Sequence, residues 1–137
     1  MKLYVDKQLP YDKEKINLVS EFCAFCADKL NIDGEFEIYV VGERSPHNIQ
    51  TTAAYQVGKN TCKVFGKHRA MVDVLRSIAH EMTHMMQDQR GMLNGEIQDA
   101  GGFHEDQANA KAGEYIKKFA KSSPHRKKIY EARFKYQ

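Results

Sequence analysis

The chain has 137 residues, of which 42% are hydrophobic and 28% charged, and its formal net charge is +3. This length and composition predict a single globular domain and exclude a chain that is disordered along its whole length. No stretch approaches the ~18 apolar residues of a membrane span, and the first ten residues lack the apolar region of a signal peptide. With only three cysteines, which do not indicate a disulfide scaffold, we expect a cytoplasmic protein.

The first half of the chain is predicted to contain one helix and three strands. Apolar side chains recur at spacings of three and four over residues 11–30, which predicts a helix with Asp12 as its cap. A turn follows, and the alternation of polar and apolar residues over 35–41 predicts a strand. Residues 51–57 and 61–65 are predicted to be two further strands that form a hairpin.

The second half of the chain is predicted to be helical. Apolar residues at helical spacing favour a helix from 71 to about 88 and another from 103 to 121, separated by a glycine-rich loop. We therefore expect one domain over residues 1–121, with segregated helices and strands, as in an α+β fold, rather than alternating βαβ units. Residues 122–137 are predicted to form a basic helix that packs on this domain or extends from it.

The segment that indicates a chemistry is His80-Glu81-Met82-Thr83-His84. Two histidines four residues apart lie on the same face of a helix, where both can bind one metal ion. Glu81 lies beside the first histidine, where its carboxylate can take a proton from water bound to that ion. Zn²⁺ lowers the pKa of such a water molecule to about 7. This HExxH pattern therefore predicts a zinc-dependent peptidase.

A catalytic zinc site needs a third protein ligand and one position left open for water. Three candidates stand together near the start of the next predicted helix: His104, Glu105 and Asp106. Glu105 lies one helical turn before Asn109, so the two side chains share a face, and Asn109 can accept a hydrogen bond from a ligand histidine. The residues alone leave the three candidates open.

With these residues the chain resembles the gluzincin branch of the zincin metallopeptidases, of which thermolysin is a member. The resemblance covers about residues 75–116, and Gln87 is similar to a residue of small phage and bacterial members. It implies three ligands for one zinc ion, namely His80, His84 and Glu105. It also implies that Glu81 is the general base and that Asn109 orients His80. Because asparagine replaces the usual aspartate here, we expect a less basic His80.

The resemblance also implies a minimal zincin-like fold, with an N-terminal helix, a small twisted sheet of three or four strands, an active-site helix and further helices. In such a fold the edge strand of the sheet binds the substrate peptide in extended form, and residues 61–65 are expected to be that edge. A peptidase also needs a group that stabilises the oxyanion. The sequence leaves four candidates open for it, Tyr55, His68, Tyr115 and His125.

Basic residues are concentrated at the end of the chain. Residues 111–137 contain nine Lys or Arg and two Glu, whereas the remainder contains twelve Lys or Arg and sixteen Asp or Glu. Such a segment is typical of a solvated helix face or of a surface that binds nucleic acid or an acidic partner. We expect a peptide or protein substrate and no membrane partner. Two alternatives stay open, a catalytically silent binding protein of the same fold and a peptidase held on DNA by the basic segment.

Overall fold

The computed structural model of the chain describes residues 1–93, 102–127 and 129. Its elements follow one another as β1 (Lys2–Val5), α1 (Lys13–Leu30), β2 (Glu37–Val41), β3 (Ala53–Gln56), β4 (Thr61–Phe65), α2 (Met71–Gln89) and α3 (Phe103–Ser122). A short 3-10 turn at Ser45–His47 lies between β2 and β3. The predicted α+β class is confirmed. A membrane-spanning helix is not found in the described ranges.

Helix α1 begins and ends where its flanking residues predict. The side chain of Asp12 accepts a hydrogen bond from the backbone N–H of Lys15 at 2.9 Å, which satisfies one of the free donors of the first turn. At the other end Asn31 adopts the left-handed conformation (φ 52°), and its N–H reaches the carbonyls of Ala27 and Asp28. Most of the apolar stripe between these ends is buried, including Cys23, whereas Ile16 is exposed.

The four strands form one mixed sheet in the order β1-β2-β4-β3. β1, β2 and β4 are parallel, whereas β3 pairs with β4 in the antiparallel sense, so the predicted hairpin is present. The sequence did not indicate β1, which forms a parallel crossover unit with α1 and β2. The chain therefore opens with one βαβ unit that the expectation of segregated elements missed. β1 is hard to predict because its four residues carry little periodicity and β2, the strand with which it pairs, follows only after the 18-residue helix α1.

The strand expected to be the edge of the sheet is internal, so this prediction is wrong. β4 is hydrogen-bonded to β2 on one side and to β3 on the other. The local pattern of a hairpin strand does not reveal its place in the sheet, because that place depends on pairing with distant residues. In the described sheet β1 and β3 are the edge strands, and Ala53 at the start of β3 lines the cleft of the candidate site.

Helix α2 is the central element of the packing. It contacts α1, α3 and strands β3 and β4, and one buried cluster joins the strands to all three helices. Met82, Met85 and Met86 are buried, as predicted for residues that fill the core behind the histidines. Because these methionines direct one face of α2 into the core, the face that carries His80 is left to border a cleft.

Two predicted segments lie largely beyond the described residues. The glycine-rich loop includes residues 94–101, and the basic helix over 122–137 includes residues 128 and 130–137, so both stay predictions. The start of the basic segment is described. There His125 Nε2 lies 2.8 Å from the Glu21 carboxylate of α1.

Candidate metal centre

Helices α2 and α3 bring the two histidines and Glu105 together. His80 Nε2 lies 3.1 Å from Glu105 Oε2, and His84 Nε2 lies 2.6 Å from Glu105 Oε1. The two imidazole rings pack edge to face, with their centroids 4.9 Å apart. One potential ligand atom from each residue lies within 4.8 Å of the other two. Among the described residues, His80, His84 and Glu105 form the group of His, Cys, Asp or Glu side chains whose geometry could hold a metal ion.

The backbone explains why these side chains meet. The four-residue spacing puts both histidines on one face of α2. Glu105 lies in the first turn of α3, which begins at Phe103, and a carboxylate there is stabilised by the helix dipole. Since α3 packs closely on α2, the carboxylate is held in front of both rings.

The other two candidates for the third ligand do not join this cluster. Asp106 is exposed. The His104 ring packs against Phe103 with its centroid 5.4 Å away, and its buried Nδ1 has no hydrogen-bond partner among the described residues. Glu105 is therefore the candidate that the structure brings to the histidines.

The donor set suits a zinc ion. Two imidazole nitrogens and one carboxylate form a known ligand set of catalytic zinc sites, although other divalent metals also accept such ligands. In a tetrahedral zinc site, neighbouring ligand atoms are about 3.3 Å apart. The observed separations of 2.6 and 3.1 Å are slightly shorter. These two separations go to different carboxylate oxygens, and one potential ligand atom from each residue lies within 4.8 Å of the others, so the side chains would adjust to close on one ion.

Asn109 lies one turn after Glu105 and lines the same cleft as His80. Burial lowers the pKa of His80 below its ordinary value, and the nearby His84 adds to this effect, whereas Glu105 and Asn109 oppose it. A lowered pKa favours the neutral imidazole, which is the form that binds metals.

Glu81 is buried beside this cluster, with 8% of its surface exposed, and it lines the same cleft. Burial raises the pKa of its carboxyl to about 8, and the charge of Glu105 adds to the shift. A divalent cation nearby would favour the ionised form of the same group. The position of Glu81 thus suits a carboxyl group that both accepts and releases a proton near neutral pH.

An open cleft of about 450 Å³ lies over the cluster. Residues 51–53, at the start of β3, form part of its lining, and the N-terminal half of α2 forms another part. Arg69 and Arg76 are the cationic side chains in this lining. Arg69 is held by hydrogen bonds to the carbonyl oxygen of Phe65 at 2.7 Å and to the hydroxyl of Ser77 at 2.8 Å. Sequence reasoning missed both arginines, although Arg76 lies one helical turn before His80 on α2, a spacing that could have indicated it.

The four candidates for an oxyanion-stabilising group lie elsewhere and do not line this cleft. The Tyr55 hydroxyl donates to Asp88, Tyr115 packs edge to face against Phe25, and His125 faces α1. His68 is exposed in a turn with a positive φ of 59°. In the described lining, the two arginines are the side chains that offer a positive charge.

Comparison of the chain with protein-family models, curated proteins and solved structures finds no match. The case for a function therefore rests on the motif and on the chemistry of this site.

Proposed function

We propose that the protein is a zinc-dependent metallopeptidase of the gluzincin type. The observation that carries this proposal is the approach of one carboxylate to both histidines of the HExxH motif, at 3.1 and 2.6 Å. Glu105 belongs to another helix and lies 21 residues after His84 in the sequence. If the motif occurred on a helix surface by chance, a carboxylate distant in the sequence would not be expected to contact both imidazole rings.

The side chains present account for the steps of peptide hydrolysis. A bound zinc ion would polarise the substrate carbonyl and lower the pKa of a water molecule to near neutrality. Glu81 would accept a proton from the attacking water at a carboxylate oxygen as the new C–O bond forms. It would then donate this proton to the amide nitrogen as the C–N bond breaks. Burial raises the pKa of Glu81, which makes its carboxylate a stronger base than an exposed one, and a bound cation would keep this carboxylate ionised and ready to accept the proton.

The cleft offers a place for an extended peptide. The edge strand β3 leads into the cleft at Ala53, so a peptide could pair with this strand through main-chain hydrogen bonds. Arg69 is held in place by its hydrogen bonds, and its guanidinium supplies a fixed positive charge in the same lining. Such a charge favours an anion, whether it is the developing oxyanion or an acidic side chain of the substrate.

The test is a comparison of wild type with Glu81→Gln, both loaded with zinc, on a mixed peptide library read by mass spectrometry. We expect wild type to cleave and Glu81→Gln to lose about 10²–10⁴-fold in rate at equal zinc content, as for removal of a general base. Glu43→Gln, which changes an exposed glutamate, is the matched control and should cleave like wild type.

Two results would contradict the proposal. Equal rates for wild type and Glu81→Gln would show that Glu81 is not the base. Stoichiometric zinc without any cleavage by wild type would point instead to a catalytically silent binding protein.

A further inference from the structure

We infer that Gln87 is a positioning residue that fixes the tautomer of His84 and ties this histidine to the segment carrying Glu105. The inference rests on the proposed zinc centre and adds a residue to it. Gln87 lies on α2, three residues after His84, and its side chain is fully buried.

The amide of Gln87 has a partner for each of its hydrogen-bonding groups. Its Oε1 lies 2.8 Å from Nδ1 of His84. Its Nε2 donates to the backbone carbonyl of His104 at 3.0 Å and to Oε1 of Gln107 at 2.8 Å. The side chain thus spans from the histidine on α2 to two residues of α3.

These contacts determine which ring nitrogen of His84 carries the proton. The carbonyl oxygen of His104 can only accept a hydrogen bond, so the amide atom of Gln87 that faces it must be the NH₂ group. The other amide atom, the oxygen, therefore faces His84 and needs a donor there. Nδ1 of His84 must carry a hydrogen, which leaves Nε2 as the nitrogen that a metal ion can use.

The same side chain also links the segments that carry two of the ligands. His104, whose carbonyl accepts from Gln87, directly precedes Glu105, and Glu105 Oε1 lies 2.6 Å from His84 Nε2. Replacing the amide would leave buried partners unsatisfied at both ends of this link. Gln87 is thus expected to act on zinc affinity although it does not touch the ion.

The test measures zinc affinity by competition with a chromophoric chelator for wild type and Gln87→Met, which keeps the length of the side chain but removes the amide. We expect Gln87→Met to lose about 10–100-fold in affinity, the range known for groups that orient metal ligands. Gln89→Met is the matched control, because Gln89 lies on the same helix and makes three hydrogen bonds to Asp33 and Asn60. The control should lose stability but keep its zinc affinity within about twofold of wild type.

A second measurement does not depend on any variant folding. Nitrogen-15 NMR of zinc-loaded wild type should show His84 with a hydrogen on Nδ1 and the metal on Nε2. Zinc on Nδ1 of His84, or a folded Gln87→Met variant with wild-type affinity, would overturn the inference.

The outcomes for the two proposals are distinct. A chain that binds zinc through Nε2 of His84 and loses affinity in Gln87→Met but cleaves no peptide would support the inference and refute the proposed function. An active peptidase whose Gln87→Met variant keeps full affinity would refute the inference alone. A chain that binds no zinc would refute both.

Discussion

Replacing Glu105 by glutamine tests whether a metal ion would join α2 to α3. Both histidines belong to α2, and Glu105 is the ligand contributed by α3, so its loss leaves an ion that no longer bridges the two helices. A ligand at 100 times its Kd stabilises the fold by about 2.7 kcal/mol. For a domain of this size each kcal/mol corresponds to roughly 3–5 °C in Tm. Zinc should therefore raise the Tm of wild type by about 8–14 °C and that of Glu105→Gln by only a small part of this.

The assay is thermal unfolding followed by circular dichroism, with zinc at 100 times the wild-type Kd and with a chelator. Glu114→Gln is the matched control, since this residue lies on the same helix and pairs with Lys118 at 2.9 Å on the surface. The control should keep the full zinc-dependent shift. A full shift in Glu105→Gln, or no shift in wild type, would refute the reasoning.

Three further changes probe other parts of the structure. Asn109→Asp should raise zinc affinity several-fold, because a carboxylate acceptor makes His80 more basic. An unchanged Kd for zinc in chelator competition would count against Asn109 as the residue that orients His80. Tyr55→Phe removes the hydroxyl that donates to Asp88 and should lower the free energy of unfolding by about 1–2 kcal/mol in urea titrations. Burial raises the pKa of Cys23 to about 12, whereas the thiol of an unfolded chain has a pKa of about 8.5, so the folded state keeps its proton to higher pH. The contribution of this thiol to the free energy of unfolding is complete below about pH 8.5 and is lost as the pH rises towards 12. Urea titrations should therefore give a lower free energy of unfolding at pH 10 than at pH 8, and Cys23→Ala should reduce this difference.

The helices could be predicted because their signal is local. Apolar residues at spacings of three and four gave α1, α2 and α3 within two residues of their observed ends. The sheet could be predicted only in part. Its order depends on which strands pair across long separations, and no local pattern reports this. For that reason β1 was missed and β4 was placed at the edge that β3 occupies.

The candidate site divides in the same way. The spacing of His80 and His84 along one helix put them on one face, whereas Glu105 was favoured over its neighbours by the resemblance to gluzincins together with the face it shares with Asn109. The contacts of Gln87 with α3 could not be derived, because they join it to the backbone carbonyl of His104 and to the side chain of Gln107 on another helix. The available signal was a glutamine three residues after His84, on the same side of α2.

Arg69 left no such signal in the sequence, whereas Arg76 lies one helical turn before His80 on α2. Arg69 precedes α2, and its hydrogen bonds to Phe65 and Ser77 depend on how β4 leads into the helix. A charged residue between two predicted elements looks like any solvated loop residue until the elements are placed in space.

The central claim is that His80, His84 and Glu105 hold one zinc ion, and the most direct measurement is an anomalous-scattering map at the zinc absorption edge from crystals of the full chain. We predict a single peak about 2.0–2.2 Å from Nε2 of both histidines and from a carboxylate oxygen of Glu105. A map without a peak at this position, from crystals grown with zinc, would contradict the account.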